Sequence, residues 1–287
     1  MLGWALLPLA GLAVGRAVNR LTPFLLRRRG PVPGRRWPWV EILGALLFLL
    51  LFAELGFDQR SVRWYLFATL LLAITSTDFR YKAIADRVTY PGTLCGLAVS
   101  ALWPADITRF FDQDGLLRAM GMAPGPPGGF ALSLLGAVMA FAIFEAARRL
   151  MSLAAGVEAM GMGDSKLLMM VGAFLGPKMA LFSLFPGMLC GLLLGIAYTR
   201  IFRSPHFPFG PALALGGLLT LLYGDGLVAQ LDAFFALAHS IRGPGLIALQ
   251  VVLIGTVVWL MLRVRRRADR YRKEIDDDYD RMDEGGE

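Results

Sequence analysis

The sequence predicts an all-α fold: a polytopic membrane helix bundle with about nine membrane segments, one of them short. Three observations lead there. Of 287 residues, 56% are hydrophobic and only 18% charged, with a mean hydropathy of +0.57, which is too apolar for a soluble domain. Apolar runs recur along the whole chain instead of forming one anchor. The stretches between them alternate in charge, as loops on the two sides of a membrane do.

The first run, 2–19, is not followed by a small-residue cleavage site and reads as a retained helix. A basic linker, 27–38, mixes arginines with glycines and prolines and is too short to fold alone. Runs 39–57, 62–78 and 88–104 come next, each near the roughly 20 residues that a ~30 Å hydrocarbon core requires. The stretch 104–128, rich in Pro and Gly at its end, reads as a flexible outer connection with Asp106, Asp112 and Asp114 solvated. After run 129–152 comes the short one, 165–176, about 18 Å long as a helix and ended by Gly176-Pro177. Runs 178–202, 209–228 and 245–264 complete the set. Gly187, Gly191 and Gly195, at four-residue spacing, suggest close helix packing. Residues 1–264 are thus one membrane-embedded domain, with 27–38 a short cytoplasmic linker and 265–287 a charged cytoplasmic tail.

Loops 16–38, 78–87, 148–166, 200–206 and 263–287 hold most of the 29 basic residues, and Lys and Arg gather on the cytoplasmic side. The N-terminus is therefore expected outside and the C-terminus in the cytoplasm, which puts Asp78 and Asp164 at the cytoplasmic face. The net charge of +7 follows from this topology and from anionic headgroups, so a nucleic acid partner is not invoked. Cys95 and Cys190 lie far apart inside apolar runs, and no CxxC exists, so neither a zinc site nor a disulfide framework is expected. Only His206 and His239 could supply imidazole, which argues against a His-based metalloprotease or a Ser-His triad. No metal is expected.

An ionisable group at the centre of a membrane helix costs roughly 2.5–3.5 kcal/mol on insertion scales, so such groups are functional candidates. Asp78 ends the apolar run 62–78, and Asp164 directly precedes another, within Gly161-Met162-Gly163-Asp164-Ser165-Lys166. Either acid alone could be a helix cap or an interfacial carboxylate. Together they suggest an aspartyl protease at the bilayer surface: two nearby carboxylates share a proton, one taking a proton from water while the other donates to the substrate carbonyl. Gly161 and Gly163 leave room for another backbone to approach.

The segment GMGDSKLLMMVGAFLG at 161–176 resembles the GxGD signature of prepilin peptidases, the type IV leader peptidases, and TDFRYKAIADRVTYP at 77–91 resembles their first-aspartate motif. GRAVNRL at 15–21, RRWPWVEILGALLF at 35–48, Glu158 and PFGPALALGG at 208–217 add further matches in family order. This resemblance implies that Asp78 and Asp164 are the catalytic aspartates, and that the short basic leader of type IV prepilin or pseudopilin precursors is removed at the cytoplasmic face of a bacterial inner membrane. It points to a type IV pilus or type II secretion system, and cleavage by this mechanism needs no cofactor. Lys166, Glu158 and Asp86 match the motifs as supporting residues, although each could also be a solvated or snorkelling surface group. Pro208, Gly210 and Pro211 suit a helix start, and Pro211-Ala212-Leu213 is similar to the PAL element of presenilin-like GxGD proteases, a fold-level analogy. Two departures stand out. Ala85 replaces the usual proline before Asp86, and the cysteine-bearing cytoplasmic domain of typical members is replaced by the linker 27–38. In the family that domain is associated with N-methylation of the product by S-adenosylmethionine, so poor or absent methylation is expected. An ion-coupled transporter would also explain intramembrane acids and broken helices, but the acids sit at one face, and no inverted halves are evident. An inactive assembly factor finds no support while both aspartates are present.

Overall fold

A computed structural model describes residues 2–26, 37–109, 114–156, 161–202 and 207–240. Every regular element among them is an α-helix: α1 Leu2–Leu25, α2 Pro38–Leu55, α3 Val62–Tyr81, α4 Asp86–Leu102, α5 Pro104–Arg109, α6 Asp114–Ala119, α7 Pro126–Ala155, α8 Met162–Phe202 and α9 Gly210–Ser240. Most of the linker, Glu158, His206, the run 245–264 and the tail lie outside the described residues. Three described helices are long and apolar enough to cross a membrane, over Pro38–Leu55, Pro126–Leu153 and Met162–Ile201. The chain forms two compact units. One joins Met1–Glu145 to Met162–Leu227 and holds both Asp78 and Asp164; the other joins Ala146–Gly161 to the chain from Val228 and holds the last turns of α7 and α9.

Small residues let the helices of the first unit meet backbone to backbone. A Cβ on Gly11 of α1 would lie 2.4 Å from the Gly44 carbonyl oxygen of α2, and one on Gly136 of α7 would lie 2.3 Å from that of Gly172 in α8. Gly187 and Gly191 seat the later part of α8 against Ala212, Leu213 and Phe209 at the start of α9, so the glycine ladder serves packing.

The first arm of α8, 162–175, is the centre of this unit. Leu167, Met170, Val171, Ala173, Phe174 and Leu175 are all fully buried. A helix whose end is buried in protein need not reach across a bilayer, and a break there is tolerated because it is not exposed to lipid. The break falls where the sequence puts it: Gly176 takes φ 76° and ψ 175°, a conformation that favours glycine. The chain folds back there. Gly191 and Gly195 pack on Phe209 and Phe207, next to Gly210, which hydrogen-bonds Asp78. A straight helix would carry residue 195 about 46 Å from residue 164 at 1.5 Å per residue, yet Asp164 lies within electrostatic range of Asp78.

Pro177 has no N–H for the Ala173 carbonyl, and that buried acceptor is served by side chains instead. Ser100 Oγ donates to it at 3.3 Å, as does Ser133 Oγ. The adjoining Phe174 carbonyl accepts from Arg63 Nη2 at 3.1 Å. Arg63 is 2% exposed, and it also donates to the Trp103 carbonyl at 3.3 Å and stands 3.5 Å from the Asp106 carboxylate. The expected flexible connection 104–128 is corrected on this point. It contains α5 and α6, held by the buried cluster of Ile107, Leu117 and Leu132, and Asp106 is drawn in because the buried guanidinium needs a counter-charge. Burial pushes the Asp106 carboxyl above its ordinary range, against the pull of Arg63 and Arg60.

Candidate active site

Asp78 lies one turn before the end of α3. The helix stops at Lys82, whose left-handed backbone (φ 49°) returns its N–H to the Asp78 carbonyl at 2.8 Å. The buried residues Ala83, Ile84 and Ala85 then lead into α4, which begins at Asp86. Ala85 fills the position ahead of that helix in extended conformation, a geometry proline would also take, so the departure Ala85 brings leaves Asp86 in place.

The Asp78 side chain is 6% exposed and reaches the N-terminus of α9, where the Gly210 N–H donates to its Oδ2 at 2.9 Å. The Phe209 carbonyl accepts the first helical bonds, from Ala212 and Leu213, so α9 starts where the Pro-Phe-Gly-Pro pattern predicts. Only glycine fits: a Cβ at 210 would lie 2.6 Å from Asp78 Oδ2. Asp164, 8% exposed, occupies the first turn of α8. The two acids are thus placed at two helix N-termini, where free N–H groups and the helix dipole favour negative charge, with Asp164 within electrostatic range of Asp78.

A second link joins the two motifs. Lys166 Nζ donates to Asp86 Oδ1 at 2.7 Å and sits 5.3 Å from the centre of the Tyr90 ring. Lys166 thus pairs across the two motifs with the Asp86 carboxylate. Gly163 is corrected. It admits the Ile84 side chain, whose Cβ would be 2.9 Å from a Cβ at 163, and not a backbone. Gly161 is exposed just ahead of α8, and Pro211 follows the glycine that holds Asp78.

Several polar residues of this unit escaped the sequence reading. Glu145 of α7, 6% exposed, accepts from Ser165 Oγ at 3.1 Å, next in sequence to Asp164. The signal was a carboxyl inside the apolar run 129–152. Asn19 of α1 donates to the Trp37 carbonyl at 2.9 Å and accepts from Arg80, whose guanidinium lies 5.2 Å from the Trp37 ring centre. The early motifs at 15–21 and 35–48 are thereby tied to the residues flanking Asp78. Among the described residues, no three His, Cys, Asp or Glu side chains are placed to hold a metal ion. What the arrangement offers chemically is a pair of enclosed carboxyl groups that can share one proton.

Residues 65–196 match the description Type IV leader peptidase family. They belong to that family. The matched segment of the leader peptidase family contains Asp78, Asp86, Glu145, Asp164 and Lys166. Among curated relatives, the prepilin leader peptidase/N-methyltransferase of Pseudomonas aeruginosa is 30% identical over 195 residues, 67% of this chain and 60% of that protein. The one from Neisseria gonorrhoeae is 27% identical over 207 residues, 72% and 64% of the two chains, and that of Aeromonas hydrophila is 29% identical over 195 residues, 67% and 60%. The chain thus spans about three fifths of the length of these relatives. No solved structure matches it significantly.

Proposed function

We propose that this protein is a membrane aspartyl endopeptidase that removes the short basic leader from type IV prepilin-like precursors. The observation that carries this reading is the convergence of Asp78 and Asp164, from two separate motifs of a leader-peptidase segment, in one enclosed site. Asp78 accepts the Gly210 N–H, and a donated N–H favours an ionised carboxylate, so Asp78 is suited to take a proton from water. That water adds to the scissile carbonyl carbon while Asp164 gives its proton to the carbonyl oxygen. The tetrahedral intermediate then collapses: a hydroxyl proton returns to Asp164 as the carbonyl re-forms, the C–N bond breaks, and the proton taken from water passes from Asp78 to the leaving amine. Lys166 and Asp86 lock α8 to α4, and Glu145 holds the turn of α8 next to Asp164 through Ser165. None of these steps uses a cofactor.

The same reading sets the protein in a bacterial inner membrane with about nine segments, the N-terminus outside and the site at the cytoplasmic face, following the loop charges. Its partners are prepilin or pseudopilin precursors and the bilayer, not nucleic acid. With no cysteine between α1 and α2, the product is expected to keep a free N-terminal amine. The test combines purified full-length protein, a synthetic prepilin and S-adenosylmethionine, followed by mass spectrometry. Loss of the leader mass alone is expected. An intact precursor overturns the peptidase reading, and efficient appearance of product heavier by one methyl group overturns the methylation reading.

A further inference from the structure

A buried carboxyl that hydrolysis leaves unused bonds to the residue next to Asp164, and we infer that Glu145 and Ser165 form a clasp that positions Asp164; this rests on the peptidase reading. Glu145 of α7 is 6% exposed, Ser165 in the first turn of α8 is fully buried, and Ser165 Oγ donates to Glu145 Oε2 at 3.1 Å. Ser165 directly follows Asp164, so the bond acts on the backbone that carries the acid. A carboxyl group inside an apolar helix is costly. Packing alone does not call for it, because a buried polar pair is replaced by apolar side chains of the same shape at little or no cost.

Asp164 sits in the least self-supporting part of its helix. The N–H groups of a first turn have no acceptor within the helix, and Gly163, directly before the acid, adds backbone freedom. Contacts elsewhere along α7 do not reach this turn. Ser133 Oγ donates to the Ala173 carbonyl and Gly136 meets Gly172, so α7 runs antiparallel to the first arm of α8, but Gly172 lies about 10 Å along the helix from Ser165 at 1.5 Å per residue. The clasp also falls where the chain leaves this unit, after Glu145, and re-enters it, at Met162. The Glu145–Ser165 bond therefore closes the neck of the excursion 146–161 and keeps its motion from Asp164. Lys166 makes a second tie, to Asp86, but the Asp86 side chain is 52% exposed and water competes for it, so the buried bond to Glu145 carries the larger share.

The test uses the full-length protein in lipid nanodiscs with a synthetic prepilin, and cleavage by the wild type, read first, reports on the peptidase reading by itself. Ser165→Ala and Glu145→Ala are each expected to lower kcat about tenfold with KM unchanged. The double variant is expected to fall by the same factor and not by about a hundredfold, because both changes remove one interaction. Glu145→Gln keeps an acceptor and is expected to retain the wild-type kcat and pH profile. Ser133→Ala, which cuts the same α7–α8 seam at its other end, is expected to leave kcat unchanged whatever it does to thermal stability. Hydrogen exchange gives a readout independent of turnover: the amides of residues 166–169, whose bonds close the first turn of α8, are expected to exchange faster in Ser165→Ala and not in Ser133→Ala. Unchanged kcat or unchanged exchange in folded Ser165→Ala overturns the clasp, and so does an additive double variant. Glu145→Gln as inactive as Asp164→Asn shows that Glu145 acts through its proton, which overturns the positioning role. If Glu145→Ala does not fold, Ser165→Ala and Glu145→Gln decide the matter, and if the wild type does not cleave, the exchange comparison does.

Discussion

At the scale of single residues, the site depends on where two carboxyl groups are held. Asp78→Asn and Asp164→Asn keep shape and hydrogen bonding but remove a proton carrier, so each is expected to lower leader cleavage by about 10³-fold or more while leaving insertion and thermal unfolding close to wild type. A folded variant that cleaves at the normal rate removes that residue from the dyad. Gly210→Ala separates position from chemistry, because it leaves both acids intact but places a methyl group 2.6 Å from Asp78 Oδ2. A displacement of that kind costs on the order of 10²-fold in rate, and normal turnover by Gly210→Ala would show that the α9 contact does not set the position of Asp78.

At the scale of elements, the decisive feature is that α8 breaks and folds back inside the protein. Its first arm carries Asp164 and ends in carbonyls that Ser100, Ser133 and Arg63 satisfy. Arg63 is the most connected of these. Arg63→Ala leaves the Phe174 and Trp103 carbonyls without their donor and the Asp106 carboxylate without its counter-charge, and losing one partner of a buried charge pair costs about 3–5 kcal/mol. A clearly lowered unfolding midpoint in detergent is expected, and an unchanged one would mean that other groups hold the arm. Gly176→Ala tests the turn itself: at φ 76° a side chain adds strain of about 1–3 kcal/mol, read by the same measurement.

At the scale of the whole molecule, orientation is what places the chemistry. In a background lacking Cys95 and Cys190, Lys82→Cys and Met160→Cys are expected to react with a membrane-impermeant thiol reagent only after the cytoplasmic side is opened, and Gly115→Cys from outside intact cells. Labelling of position 82 or 160 in intact cells overturns the orientation drawn from loop charge. Position 115 is open to such a reagent, since no atom lies within 4 Å of where its Cβ would be.

Much of this protein was legible in its residues because the bilayer makes certain residues expensive. Asp78 and Asp164 stood out since acids beside apolar runs are costly, and Gly176-Pro177 announced its break because proline cannot donate and glycine tolerates the turn. The predicted start of α9 at Gly210-Pro211 follows from the same backbone rules. What the sequence could not show is which distant groups complete these features. Gly210 lies 132 residues from Asp78, and Arg63 lies 111 residues from the carbonyl it satisfies; no local periodicity encodes such pairings. Asp106, read from its loop as solvated, was drawn inward by Arg63, and Lys166 was fixed by Asp86, 80 residues away. The sequence determined which residues were too costly to be idle. Only the tertiary structure decided their partners, because a buried polar group takes whichever donor or acceptor the packing of the helices brings within reach.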